Sequence, residues 1–149
     1  MSRREDDGSV LILILGLVVL AALFITVVID VSTLYLERRS LISAADGAAL
    51  AGAQAVDRAT IYQEGLPDSG PLPLDADAAA VAAREYLVAH GIHQQFPNLT
   101  VTIDTTGTTV DVRLSARVEL PVTNAVTPSA RDGVTVAASA IARTPIVPN

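Results

Sequence analysis

The sequence predicts an α+β protein: a long N-terminal transmembrane helix continuing outside the membrane, then a second helix and a three-stranded antiparallel sheet. Three observations carry this reading. Residues 10–29 form an apolar run of 20 without a charge. From residue 30 to 56 no proline interrupts a helical rhythm of apolar and small side chains. Residues 110–120 alternate strictly between apolar and polar.

The run at 10–29 has the length, about 20 residues, that a helix needs to cross a hydrocarbon core of roughly 30 Å. A lone segment in lipid must satisfy its own backbone, which makes it a helix. A domain drawn from 149 residues has little room to hide such a stretch. Signal-peptide cores run about 7–15 residues and end at a small-x-small site. Here the run is longer, Asp30 closes it, and Leu34, Tyr35 and Leu36 follow. A retained anchor is expected. Arg3 and Arg4 before the run balance Arg38 and Arg39 after it, so positive charge does not choose an orientation. The short stretch 1–9 suits a cytoplasmic stub and points to an N-terminus inside.

Residues 30–56 read as an extramembrane continuation of the helix. Leu34, Leu41, Ala45, Ala48, Ala49 and Gly52 share one stripe, with Glu37, Arg38, Arg39 and Gln54 mostly off it. Gly47 and Gly52 would each cost a helix about 1 kcal/mol relative to Ala. Two compatible reasons can sustain them. Ala44, Ala48 and Gly52, like Gly47 and Ala51, have the small-xxx-small spacing of closely packed helices. Alternatively, the helix is an Ala-rich one covered by its own domain. Asp30 is either a functional acid touching a span or a solvated carboxylate at its edge. With Arg38, Arg39 and Asp46 it forms a set of candidate inter-subunit charges.

Residues 57–74, with Gly65, Pro67, Gly70, Pro71 and Pro73, read as a linker. Residues 75–149 are expected to form a small extracytoplasmic α/β domain. Asp75 or Asp77 offers an N-cap for a helix through about His90, stopped by Gly91. Its apolar stripe is Ala79, Ala82, Ala83, Tyr86, Leu87 and His90. Strands follow at 99–104, 110–120 and 134–143, with a turn at 105–108, a loop at 122–133 and a short tail. In the middle strand Val110, Val112, Leu114, Ala116, Val118 and Leu120 face inward, against Asp111, Arg113, Ser115, Arg117 and Glu119 outward. In the last, Val134, Val136, Ala138, Ala140 and Ala142 face inward. Such a sheet needs a cover, which the second helix and the Ala-rich end of the first can supply.

The inventory for chemistry is thin. A net charge of −6 argues against a nucleic-acid partner. No cysteine is present and all ten basic residues are Arg, which excludes disulfides, thiolate ligands and lysine chemistry. His90 and His93 alone cannot complete a zinc site and read as surface histidines. Asp104 and Asp111 flank a hairpin turn rather than a calcium loop, and no nucleophile elbow or phosphate loop stands out. Asn98, Leu99 and Thr100 fit a glycosylation sequon. No enzyme, cofactor or metal site is expected. The lipid bilayer is the partner that the residues themselves imply.

Residues 8–53 resemble the N-terminal module of TadE/TadG-like proteins, pilin-like components of the tight-adherence (Flp) pilus machinery. The matching landmarks are Gly8-Ser9, the apolar span, Ile29-Asp30-Val31, Leu34-Tyr35, Arg38-Arg39-Ser40-Leu41 and the run from Ala44 to Ala53, with its Ala-Ala-Asp-Gly-Ala-Ala-Leu-Ala core. The stretch Val134-Thr135-Val136-Ala137-Ala138-Ser139-Ala140 is similar to the family's C-terminal strand. The resemblance implies a pilin-like fold, single-pass placement in the bacterial cytoplasmic membrane with the N-terminus inside, and a non-enzymatic role in pilus assembly or envelope secretion. Its implied partners are other pilin-like or Tad-machinery membrane proteins, in a homo- or hetero-oligomer. Gly8 and Ser9 mark the family's processing position. Processed members resemble G-x-x-x-x-E, and Leu13 stands here where that Glu would be. This departure points to a permanently anchored, TadG-like component rather than a major filament subunit. The alternative is a membrane-tethered binding or adaptor module that uses Asp111, Arg113, Arg117 and Glu119 as its contact face.

Overall fold

The computed structural model describes residues 3–55, 61–62, 70–126 and 133–147. Helix α1 (Arg3–Ala53) is followed by β1 (Gly70–Pro71), α2 (Ala76–Ala89), the short α3 (Ile92–Gln95), β2 (Thr100–Thr106), β3 (Thr109–Val118), α4 (Pro121–Val126), β4 (Val134–Arg143) and β5 (Ile146–Val147). The expected α+β architecture is present: a long apolar N-terminal helix, a further helix and a three-stranded antiparallel sheet. Of the 57–74 linker, residues 57–60 and 63–69 lie outside the described residues.

The chain divides into two compact units, and α1 contributes to both. The first comprises residues of 3–35 and 119–126. From Val10 to Ile29 the apolar side chains stand exposed on every side of the helix, with Phe24 72% accessible. An all-apolar helix belongs in a protein core or in lipid; this one is long and apolar enough to cross a membrane, and none of its most apolar window is buried in the protein. The hydroxyls at its far end are satisfied locally. Thr26, Ser32 and Thr33 donate to the carbonyls of Ala22, Val28 and Ile29 at 3.0, 2.7 and 3.1 Å, which hides a polar group without leaving the helix.

The second unit comprises residues of 36–118 and 133–147. Its sheet runs in the order β2-β3-β4. The β3–β4 register is unbroken from Thr109 opposite Arg143 to Val118 opposite Val134. Val110, Val112, Leu114, Ala116 and Val118 of β3, with Val136, Ala138 and Ala140 of β4, are buried. Alternation placed these residues correctly. Val134 departs from it, lying exposed at the end of its strand. The cover is α1 and α2. Leu41, Ala44, Ala45, Ala48, Ala49 and Ala53 of α1 are buried, as are Ala79, Ala83 and Leu87 of α2. A methyl group on Gly52 would sit 3.0 Å from the Ala79 carbonyl oxygen and 3.1 Å from Val110 Cγ1. The α1 backbone therefore touches α2 and β3 at one point.

Local signals explain the element ends. Asp75 accepts from the Ala78 amide at 2.9 Å as the α2 N-cap. Gly91 takes the left-handed conformation, φ +67°, that ends the helix. Several elements differ from the sequence-based expectation. β3 ends at Val118, leaving Leu120 half-buried beyond the strand, and the short α3 forms just after Gly91. The β2–β3 turn is tighter, closing with Thr106 opposite Thr109. The start of the 122–133 loop is helical in α4, with Pro121 at its first residue, where a missing amide costs nothing. Gly70 and Pro71 pair with Val147 and Ile146, so β1 and β5 form where a linker and a tail were expected. Two-residue strands have no periodicity to read.

Candidate functional site

Asp30 follows immediately on the apolar run. Its side chain is turned inside the first unit, and the residue is 7% exposed. The carboxylate accepts from the backbone amides of Val122 and Thr123, each at 3.0 Å, and from the Thr123 hydroxyl. The first amides of a helix have no intrahelical acceptor. Asp30 therefore caps α4 from a position 92 residues away in sequence. The Thr123 hydroxyl holds its carboxyl below the ordinary carboxylate range, helped by the Val122 and Thr123 amides and opposed by burial. A buried charged acceptor for three donors is an anchoring device. Neither Val122 nor Thr123 was singled out from the sequence. The signal that could have found them is Pro121, a residue favoured at the first position of a helix, in a stretch that otherwise reads as a loop.

The other candidate charges lie elsewhere. Arg38, Arg39 and Asp46 are exposed on α1, and none of them forms an ion pair among the described residues. Beside them Glu37 and Ser40 are tied to α3. Gln95 Nε2 donates to Glu37 at 3.1 Å, and Ser40 Oγ donates to Gln95 Oε1 at 3.1 Å.

Of the small residues, Ala44, Ala48 and Gly52 are buried in the second unit, while Gly47 and Ala51 are half-buried. Gly47 lies against the Tyr86 ring so closely that a methyl group would overlap it. Tyr86 in turn stacks on His90, with ring centroids 3.9 Å apart. His90 Nδ1 donates to the Tyr86 carbonyl at 2.8 Å. These contacts are with the chain's own elements. Gly8 and Ser9 lie within α1.

The outer face of the sheet carries the second cluster. Asp104 and Asp111 stand directly opposite each other, a like-charge pairing that opposes strand association. Arg113 relieves it, with Nη1 2.9 Å from Asp104 and Nη2 bonded to Asp111. Exposed pairs of this kind contribute about 0–1 kcal/mol, so the arrangement mainly cancels repulsion. A shallow groove of about 350 Å³ lies along the same face, lined by Asn98, Thr100, Ser115, Ala116, Arg117 and Thr135. Among the described residues, no cluster of His, Asp and Glu could hold a metal ion.

Residues 8–55 match the family described as Flp pilus-assembly TadE/G-like, about a third of the chain. No curated protein and no solved structure matches the chain. Over that segment the chain is similar to TadE/TadG-like proteins, and the segment takes in the apolar run, Asp30, the Arg38–Arg39 step and the small-residue stretch through Ala53.

Proposed function

We propose that this TadE/TadG-like chain is a non-enzymatic, membrane-anchored pseudopilin or minor-pilin-like component that supports Flp-type pilus assembly or envelope secretion. The observation that carries the proposal is the family match at residues 8–55, which falls on a helix able to cross a membrane. The match supports involvement in Flp pilus assembly; the accessory role is our reading. It is favoured by Leu13, an apolar side chain where processed relatives resemble a Glu. A Glu there would need a partner's amine to offset its burial. Without it the span has no charge with which to register incoming subunits. The N-terminus is assigned to the cytoplasm, with the second unit outside. Partners would be other pilin-like or Tad-machinery membrane proteins, met through the exposed Arg38, Arg39 and Asp46.

Deleting the gene should abolish or reduce surface piliation under conditions where pili form, and the full-length chain should restore it. Unchanged piliation and unchanged secreted-protein profiles overturn the proposal. The intact mass of the membrane-extracted protein then separates the two roles. Retention of the segment before Ser9 identifies a permanent anchor, and a chain starting at Ser9 identifies a processed subunit.

A tethered binding module is the second reading, and the groove beside Arg117 favours it. Arg113 is engaged with two carboxylates, so Arg117→Glu is the cleaner probe. Lost partner capture with normal piliation would support this alternative.

A further inference from the structure

Asp30 and the start of α4 each solve a problem that the other has. A carboxylate at the end of a membrane span is costly unless it is solvated or paired. Open backbone donors near hydrocarbon are costly for the same reason. Joined, the carboxylate and the Val122 and Thr123 amides satisfy one another. The depth follows from length. The 20 residues of 10–29 rise about 30 Å as a helix, which matches the hydrocarbon thickness. Asp30 is the next residue, so a group 3.0 Å from its carboxylate lies at the edge of the lipid.

We propose that the start of the β3–β4 connection is a membrane-surface contact, in which Pro121, Val122 and Thr123 rest among lipid headgroups and Asp30 latches them there. The inference rests on the reading that residues 10–29 span a bilayer. Composition supports it. Residues 120–126, Leu-Pro-Val-Thr-Asn-Ala-Val, hold no charge and are mostly apolar. Such a segment suits the boundary between headgroups and acyl chains, where apolar side chains bury shallowly and amide and hydroxyl groups stay wet. Pro121 is exposed within its unit, and Val122 and Thr123 are half-exposed, which leaves them available to lipid. The latch uses groups that the anchoring role alone does not require: a membrane helix can end without binding a segment 92 residues away in sequence.

The test uses the full-length chain in vesicles of phosphatidylcholine and phosphatidylglycerol. The chain has no cysteine, so Leu20→Cys and Pro121→Cys each give a single site for a nitroxide label. Collisions are measured with oxygen, with a water-soluble nickel chelate and with nickel attached to a lipid headgroup. The Leu20 label should meet oxygen and be shielded from the soluble chelate. The Pro121 label should be relaxed most strongly by the headgroup nickel. Asp30→Ala should shift the Pro121 label toward the soluble chelate, and Thr123→Val, which removes only the hydroxyl, should shift it less. A lipid-buried Leu20 label with a Pro121 label that meets the soluble chelate as freely as unattached nitroxide overturns the proposal and leaves the span intact. A Leu20 label open to the soluble chelate overturns the span, and the proposal with it. A Pro121 label unmoved by both substitutions overturns the latch.

Discussion

The two ends of α1 are the same helix built for opposite surroundings. Residues 10–29 carry large apolar side chains, none of them buried by the protein, and the single glycine there, Gly16, has nothing within 4 Å of where a methyl group would be. Residues 41–53 carry Ala and Gly, and their buried stripe lies against α2 and β3. Large side chains on a bare helix recruit solvent of their own kind. Small ones let the backbone itself approach a neighbour. The same residue type therefore means different things at Gly16 and at Gly52.

The comparison breaks most visibly with a charge on the packed side. Ala48 is fully buried, and Ala48→Asp would place an unpaired carboxylate in an apolar contact. A loss of about 4 kcal/mol or more is expected, read as failure of the second unit to resist proteolysis. On the bare side, Leu20→Arg should cost about 3 kcal/mol of membrane insertion, seen as a shift of the protein into the alkaline-extractable fraction.

The glycines sharpen the contrast at smaller scale. Gly52→Ala gains about 1 kcal/mol of helix propensity but forces a methyl group against the Ala79 carbonyl and Val110, an overpacking cost of about 1–3 kcal/mol. The net effect on the thermal midpoint should be a decrease. Gly16→Ala has no such clash and should leave the midpoint unchanged or raise it. If the two substitutions behave alike, the contrast between the two ends fails.

The smallest expected effect concerns pH. Asp30 is held below its ordinary range in the folded chain, so its contribution is present above the unfolded pKa and is lost as pH falls through the folded one. Protection of the Val122 and Thr123 amides, taken relative to the intrinsic exchange rate at each pH, should therefore fall on acidification. In Asp30→Asn that fall should be absent.

Much of the fold was legible because its signals are local. The uncharged run, the alternation of β3, the Asp75 cap and the Gly91 stop each act within a few residues, and the structure places them as read. Helical spacing put Ala45, Ala48, Ala49 and Gly52 on one stripe but left open whether another helix or the chain's own domain covers it; the structure buries it against α2 and β3. The candidate site was less legible. Asp30 stood out as an acid at a span's edge, but its charge left both a functional and a solvated reading open.

By itself the sequence determined the solvent of each segment: lipid-like for residues 10–29, half-buried for the alternating strands, and close packing for the small-residue stripe that carries Gly47 and Gly52. Tertiary structure alone decided the partners. Asp30 meets Thr123 across 93 residues, Glu37 meets Gln95 across 58, and the stub at Gly70 and Pro71 finds the strand at Ile146 and Val147. Hydropathy is a property of each side chain and survives in the unfolded chain. A hydrogen bond between distant residues exists only once folding has brought the donor to the acceptor, and it leaves no periodic trace in either segment.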